Sequence, residues 1–363
     1  MKLLDRHITR ELLGPLIFGI AAFTSLMLAG KELFQVTELL AEYHAPVFKV
    51  LKFFLLRMPT IIVMTLPMAM LLSALLGFGR LSGDSEIVAL YAGGISLYRV
   101  ARPVIVLAIV VTGISFVLNE VVTPRTNSEY EVLRRELMNQ TLTSDKPFFV
   151  PDVKDEKTNA IVWIQGGFDA TKGALRGVSM VRYWNNKPTD FVYAKDAVWK
   201  KGNDWSFREG YVQSLGSVQT VTMPFTSFAT REVKFNKTPD QIALYQKKPD
   251  QLSFVQLRDF IRVLQDEGAD VREYRVMLYQ KIALPLASLV FALVGTPLGL
   301  RPHRSSSAMG LGLAIVIIFG YWVFMHYMTI LGNNGAVSPA AAAFIPSLAG
   351  TLIGIALIAR AAK

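Results

Sequence analysis

Cysteine is absent from the 363 residues, so disulfides, thiolate metal sites and a thiol nucleophile are all excluded. Any exported part must therefore fold by packing alone. Charge is also scarce: 18% of residues are charged against 52% hydrophobic, and the mean hydropathy is +0.36. That balance excludes an ordinary soluble globular protein and points to a membrane protein. The four histidines, His7, His44, His303 and His326, show no HExxH-type spacing, so no metal site is expected. No Gly-x-x-x-x-Gly-Lys-Ser/Thr phosphate loop occurs, which leaves any ATP hydrolysis to a partner, and no catalytic residue or cofactor is expected. The net charge of +10 is scattered and not gathered in one tract, which argues against nucleic acid. The apolar runs carry no chain of carboxylates, which weakens a proton- or sodium-coupled carrier.

What the chain does have is six apolar runs, at about 12–30, 53–79, 103–122, 282–300, 308–331 and 340–358. Each is long enough, at about 1.5 Å per residue, to cross a hydrocarbon core of about 30 Å. Residues 1–11 mix Leu3, Leu4 and Ile8 with basic residues, a pattern that predicts a short interfacial helix. The amphipathic stretch 31–40 continues the first run as helix, which favours a retained span over a cleaved signal. Pro59 and Pro67 are expected to bend the second span.

Between the third and fourth runs the chain turns polar. Short β-rich pieces at 160–164, 177–184, 190–194, 205–208 and 219–223 alternate with turn signals and predict an all-β sandwich or jelly-roll-like insertion. Ser253 and Gln256 then make a capping box for a helix striped by Phe254, Leu257, Ile261 and Leu264 and closed by Gly268. The expected division is 1–123, 124–252 and 253–363: three spans, a β insertion, three spans.

One short loop holds more than a loop needs. From Ser82 to Ala92 the sequence predicts a capped helix with Ser82 or Gly83 as N-cap, Asp84 and Glu86 in the first turn, and Gly93-Gly94 at the end. Ile87, Leu90 and Tyr91 form its apolar stripe. Such a helix serves either as an ordinary connector or as a surface for a partner. Lys and Arg favour the loops at 1–11, 80–102, 301–307 and the C-terminus over those at 31–52 and 332–338. The termini and the 82–92 helix are thus expected in the cytoplasm and the β insertion outside it. Lys31, at the outer end of span one, either snorkels to the interface or holds a substrate phosphate. Arg134-Arg135 are a solvated basic pair or act with it. Gly295-x-x-x-Gly299 and Gly350-x-x-x-Gly354 allow close helix approach, within a bundle or between protomers.

Leu4-Asp5-Arg6-His7-Ile8, the run Pro67 to Gly79 and the run Ser85 to Ser96 together resemble the LptF/LptG family of lipopolysaccharide export permeases. The opening Leu-Asp-Arg and Lys31 are closer to the LptG type. The resemblance implies a non-enzymatic permease subunit in the bacterial inner membrane. It implies a second permease protomer, a cytosolic LptB-like ATPase dimer and periplasmic LptC- and LptA-like proteins. It also assigns the ATPase-coupling surface to Asp84, Ser85, Glu86, Ile87, Leu90 and Tyr91. Lys31 and Arg134 would meet lipid phosphates, while Phe23, Leu26, Met27, Ile317, Phe319, Tyr321 and Phe324 would meet acyl chains. Two other readings are a mechanotransmitting permease that moves no lipid and a membrane-anchored sensor or scaffold.

Overall fold

The computed structural model describes residues 3–138, 148–155, 158–169, 173–185, 187–200, 204–215, 225–235, 247–266, 269–300 and 307–361, with a few positions within 237–245. These fall into two compact units. One comprises Met1–Glu131, Ser253–Leu257 and Arg272–Lys363, the other Val132–Leu252 and Arg258–Val271.

The helical unit opens with α1 (Leu3–Met27), a π-helical turn over Leu28–Glu32, α2 (Leu33–Ala41), α3 (Val47–Gly83) and α4 (Glu86–Ala92). Next come α5 (Leu97–Val117), a second π turn over Leu118–Val122, and α6 (Thr123–Leu137). After the β region the chain forms α7 (Phe254–Asp266), α8 (Arg272–Gly299), α9 (Ser307–Asn333) and α10 (Pro339–Ala361). Six stretches are long and apolar enough to cross a membrane: Leu3–Gly30, Val47–Gly83, Leu97–Leu137, Arg272–Gly299, Gly310–Asn333 and Pro339–Ala361. The chain is thus a multi-pass membrane protein with three such helices on each side of an antiparallel β region.

One expectation is corrected here. No separate interfacial helix covers residues 1–11, because α1 starts at Leu3 and runs on unbroken. Ile8, Leu12 and Leu16 recur every fourth residue and are all buried, so the inward stripe of the span extends back to the start. Pro59 and Pro67 both lie inside α3, which is assigned as one helix of 37 residues. It is the most enclosed of the six, with 83% of its most apolar window buried against 22% for α9.

Around α3 the helices approach through glycine. A Cβ on Gly295 would stand 2.8 Å from the Ala74 Cβ, and one on Gly299 would stand 2.9 Å from the Ala74 carbonyl. Gly350 and Gly354 bring α10 equally close to Val290 and Leu293 of α8. Both small-residue motifs are therefore spent on packing within the chain, where apolar helices gain contact area only by close approach.

The second unit holds an antiparallel sheet of β1 (Phe148–Asp155), β2 (Thr158–Ile164), β3 (Phe168–Asp169), β4 (Ala174–Trp184), β5 (Lys187–Trp199), β6 (Asp204–Ser214) and β7 (Phe225–Lys234). Strand order is β1-β2-β4-β5-β6-β7, with β3 beside β4. Alternation sets the core: Val162 and Ile164 are fully buried while Ile161 and Trp163 point outward. Trp205 and Phe207, also fully buried, fill the middle, and the Trp205 indole donates to the Lys237 carbonyl over 2.9 Å. One cleft is lined by Asp152, Asn159 and Arg182 from the first strands and by Arg231 and Lys234 from β7, so the sheet curls until its two ends face each other. Four expected strands lie within β2, β4, β5 and β6, whereas 219–223 lies outside the described residues. The expected capping box opens α7, with the Gln256 amide donating to Ser253 Oγ and the Ser253 amide to Gln256 Oε1. Gly268 lies outside the described residues.

Candidate functional site

Three loci gather the residues singled out in the sequence. The first is α4. Ser82 and Gly83 are not its N-cap but the last turn of α3, and α4 begins only at Glu86. Ser85 turns the chain between them in a left-handed conformation (φ 60°), and its side chain caps nothing. A non-glycine residue in this region is uncommon and marks a sharp local turn of the chain. The C-terminus is as expected: Gly94 adopts φ 78°, its amide donates to the Tyr91 carbonyl, and the Ile95 amide reaches the Leu90 carbonyl.

The α4 stripe splits between inside and outside. Ile87 is buried among Ile8, Leu12, Phe78, Leu81 and Val100, and Leu90 packs beside them. Tyr91 faces outward with Val88, next to exposed Asp84 and Ser85. Partial burial raises the Tyr91 hydroxyl pKa, so the phenol stays neutral. Glu86 Oε2 lies 2.8 Å from His7 Nε2 and accepts from it in the tautomer that carries a proton on that nitrogen. Close by, Arg99 Nη1 donates to Asp5 Oδ1 over 2.6 Å and Arg80 Nη1 to Glu11 Oε2 over 3.4 Å.

The second locus is the far end of α1. Lys31 belongs to the π turn Leu28–Glu32, where Gly30 departs from helical geometry with ψ −116°; the Lys31 side chain lies outside the described residues. Its neighbour Glu32 is buried and accepts from Arg57 Nε over 2.9 Å. The Arg57 guanidinium lies 5.3 Å from the Tyr130 ring centroid, Tyr130 stacks on Phe53 at 4.3 Å, and its hydroxyl donates to Gln35 over 2.7 Å. Thr60 donates to Asn127 over 2.8 Å. Sequence reading missed this network. Its only signal was an arginine inside an apolar run with a glutamate 25 residues before it. Arg134 sits in the last turn of α6, in the sheet-bearing unit.

The third locus is apolar. Phe23, Ile317 and Tyr321 turn inward onto one cluster with Met68, Leu71, Phe291 and Ile318. The Tyr321 ring meets Phe291 edge-on at 4.9 Å, and its hydroxyl lies 3.1 Å from Ser347 Oγ. Leu26, Met27, Phe319 and Phe324 point outward. Expected acyl contacts on α1 and α9 thus divide into a packed set and an open one. Among the described residues no three His, Asp or Glu side chains gather as metal ligands.

Known proteins agree with this architecture over nearly all of its length. The profile of the "Lipopolysaccharide export system permease LptF/LptG" family matches residues 6–360. The lipopolysaccharide export system permease protein LptG of Escherichia coli (strain K12) is 29% identical over 315 residues, 84% of each chain. The protein of the same name from Haemophilus influenzae (strain Rd) is 23% identical over 351 residues, 95% of each. Six membrane-length helices around an inserted sheet, with a match running from one end to the other, place the chain in the LptF/LptG family of lipopolysaccharide export system permeases.

Proposed function

We propose that this chain is the permease subunit of an ATP-driven ABC transporter that takes lipopolysaccharide from the outer leaflet of the inner membrane and passes it to a periplasmic bridge. The observation that carries this reading is α4, a seven-residue helix between two spans whose Val88 and Tyr91 face outward beside the exposed Asp84 and Ser85 that precede it. A connector has no need of an exposed valine and tyrosine beside acidic groups; a docking surface does.

In this reading both termini and α4 lie in the cytoplasm, the β region lies in the periplasm, and the functional parts are 1–123, 124–252 and 253–363. A cytosolic LptB-like ATPase dimer grips α4 through Glu86 and its neighbours. A second permease protomer, a sister subunit or another copy, completes a cavity lined by α1 and α9. Lys31 meets a lipid phosphate there, Leu26, Met27, Phe319 and Phe324 meet acyl chains, and Arg134 is a further phosphate contact in the sheet-bearing unit. LptC- and LptA-like proteins take the lipid from the sheet. External energy is required because each acyl CH₂ exposed to water costs about 0.8 kcal/mol. Closure of the ATPase moves α4, the bundles approach, and the lipid is expelled toward the sheet.

Two variants test the reading. Glu86→Lys should lose the ATPase on purification and stop lipid release; intact assembly and transport would remove the coupling role. Lys31→Ala should weaken lipopolysaccharide binding more at low salt than at high salt; unchanged affinity at both would remove the phosphate role. Lipid retained after gentle extraction separates this reading from a permease that moves no lipid, and a co-purifying ATPase separates it from a scaffold.

A further inference from the structure

The start of α1 makes ties that a membrane span does not require. Within seven residues it reaches three other elements: Asp5 to Arg99 of α5, His7 to Glu86 of α4, and Glu11 to Arg80 of α3. Between these polar contacts Ile8 and Leu12 are fully buried, in the same cluster that receives Ile87, the one buried residue of α4. The Ser73 hydroxyl donates to the Leu12 carbonyl over 2.7 Å, and a Cβ on Gly77 would stand 2.7 Å from Leu12 Cδ2, so α1 is seated closely against α3 there. α1 thus joins α3 in holding α4 to the bundle: Ile87 shares one cluster with Ile8 and Leu12 of α1 and with Phe78 and Leu81 of α3, and the Glu86 carboxylate rests on His7.

This seat lies in the first turns of α1, a continuous helix of 25 residues, about 37 Å long at 1.5 Å per residue. Pro15 removes one backbone bond without ending it. The helix gives way only at the π turn where Gly30 leaves helical geometry, next to Lys31. Leu26 and Met27, exposed on its last turn, are carried at that end. A stiff element pinned to α4 at one end and bearing the candidate lipid contacts at the other is placed to transmit displacement between them.

We infer that Asp5, His7 and Glu11 are positioning residues that clamp α1 to α5, α4 and α3 respectively, so that movement of α4 is delivered along α1 to the Leu26–Lys31 end. The inference rests on the proposed ATP-driven permease role and names the load path inside it. Asp5 acts through Arg99, which fixes the angle of α1 against α5; His7 acts through Glu86, which ties it to the helix that moves. None of the three touches lipid.

The test uses the full chain assembled with its ATPase and permease partners, comparing Asp5→Arg, Arg99→Asp and the two combined. ATP hydrolysis and lipid release to a periplasmic acceptor are measured on the same samples, with thermal melting as the control for folding. Each single variant is expected to assemble and hydrolyse ATP while releasing about tenfold less lipid per ATP, and the swapped pair to recover most of the loss, as coupling between contacting charges requires. His7→Ala should lower the same ratio, and His7→Gln, which can still hydrogen-bond Glu86, should restore it. Wild-type lipid yield per ATP in the single variants would overturn the inference while leaving the proposed function standing. So would a swapped pair that folds and assembles yet stays uncoupled, or single variants that lose the ATPase altogether, since the contacts would then hold a docking surface. A wild-type chain that binds no ATPase and releases no lipid would overturn both.

Discussion

At the scale of single residues, what is costly is what is buried or crowded. Glu32 is in the helical core with one oxygen on Arg57, so Arg57→Ala leaves a carboxylate without its counter-ion in an apolar surround. Removing one partner of a buried pair costs about 3 kcal/mol. The variant should therefore melt well below wild type, and the double variant Glu32→Gln with Arg57→Ala should regain part of that loss. Gly210 is held by space of another kind. A Cβ there would come within 2.0 Å of the Tyr193 carbonyl and 2.6 Å of the Phe228 ring, beside Glu209, which already takes a left-handed φ of 49°. Gly210→Ala should destabilise the sheet by about 3 kcal/mol or more, read as loss of amide protection in β5 and β6. Neither Glu32 nor Gly210 stood out in the sequence, because a lone acid and a lone glycine become informative only once their neighbours are placed.

At the scale of elements, periodicity was a good guide wherever one face is buried. The stripe of α7, the alternation in β2 and the closing glycines of α4 all took the positions that the sequence requires. It misjudged the start of α4, because Ser82-Gly83 reads as a cap but is overruled by α3, whose buried Leu81 carries that helix one turn further. Packing between helices also makes a testable claim. Gly295→Val would push its side chain into Ala74 and Leu71, parting α8 from α3, and should lower the melting temperature of the detergent-solubilised chain by the equivalent of about 2 kcal/mol. In the sheet, Lys195 lies on Glu209 and Lys200 on Glu232, and each lysine hydrogen bond holds its carboxyl below the usual glutamate value of 4.5. A carboxyl whose pKa is lowered by folding stabilises the sheet above its unfolded pKa and loses that contribution as pH falls through the folded value. Sheet stability should thus decline on acidification below about pH 4.5, modestly because the pairs are exposed, and Glu209→Gln with Glu232→Gln should flatten the decline.

At the scale of the whole molecule, six long apolar runs and a polar β-rich middle were legible from composition and hydropathy, since both report the solvent that each segment prefers. The motifs 67–79 and 85–96 carried the family, and the match from residue 6 to residue 360 agrees with them. Less visible was how the ends of the bundle are tied together. His7 with Glu86 and Asp5 with Arg99 lie 79 and 94 residues apart, a separation that no local pattern reports. The account turns on α4 as the place where an outside motor meets the membrane helices. Because the chain has no cysteine, a single Val88→Cys substitution places a photo-crosslinker on the exposed face of α4 without background. Illumination in intact cells, followed by mass identification of the adduct, should recover a nucleotide-hydrolysing protein, and Glu86→Lys should abolish that adduct. An adduct with no such protein, or labelling of the Val88→Cys variant by a thiol reagent confined to the periplasm, would contradict the account.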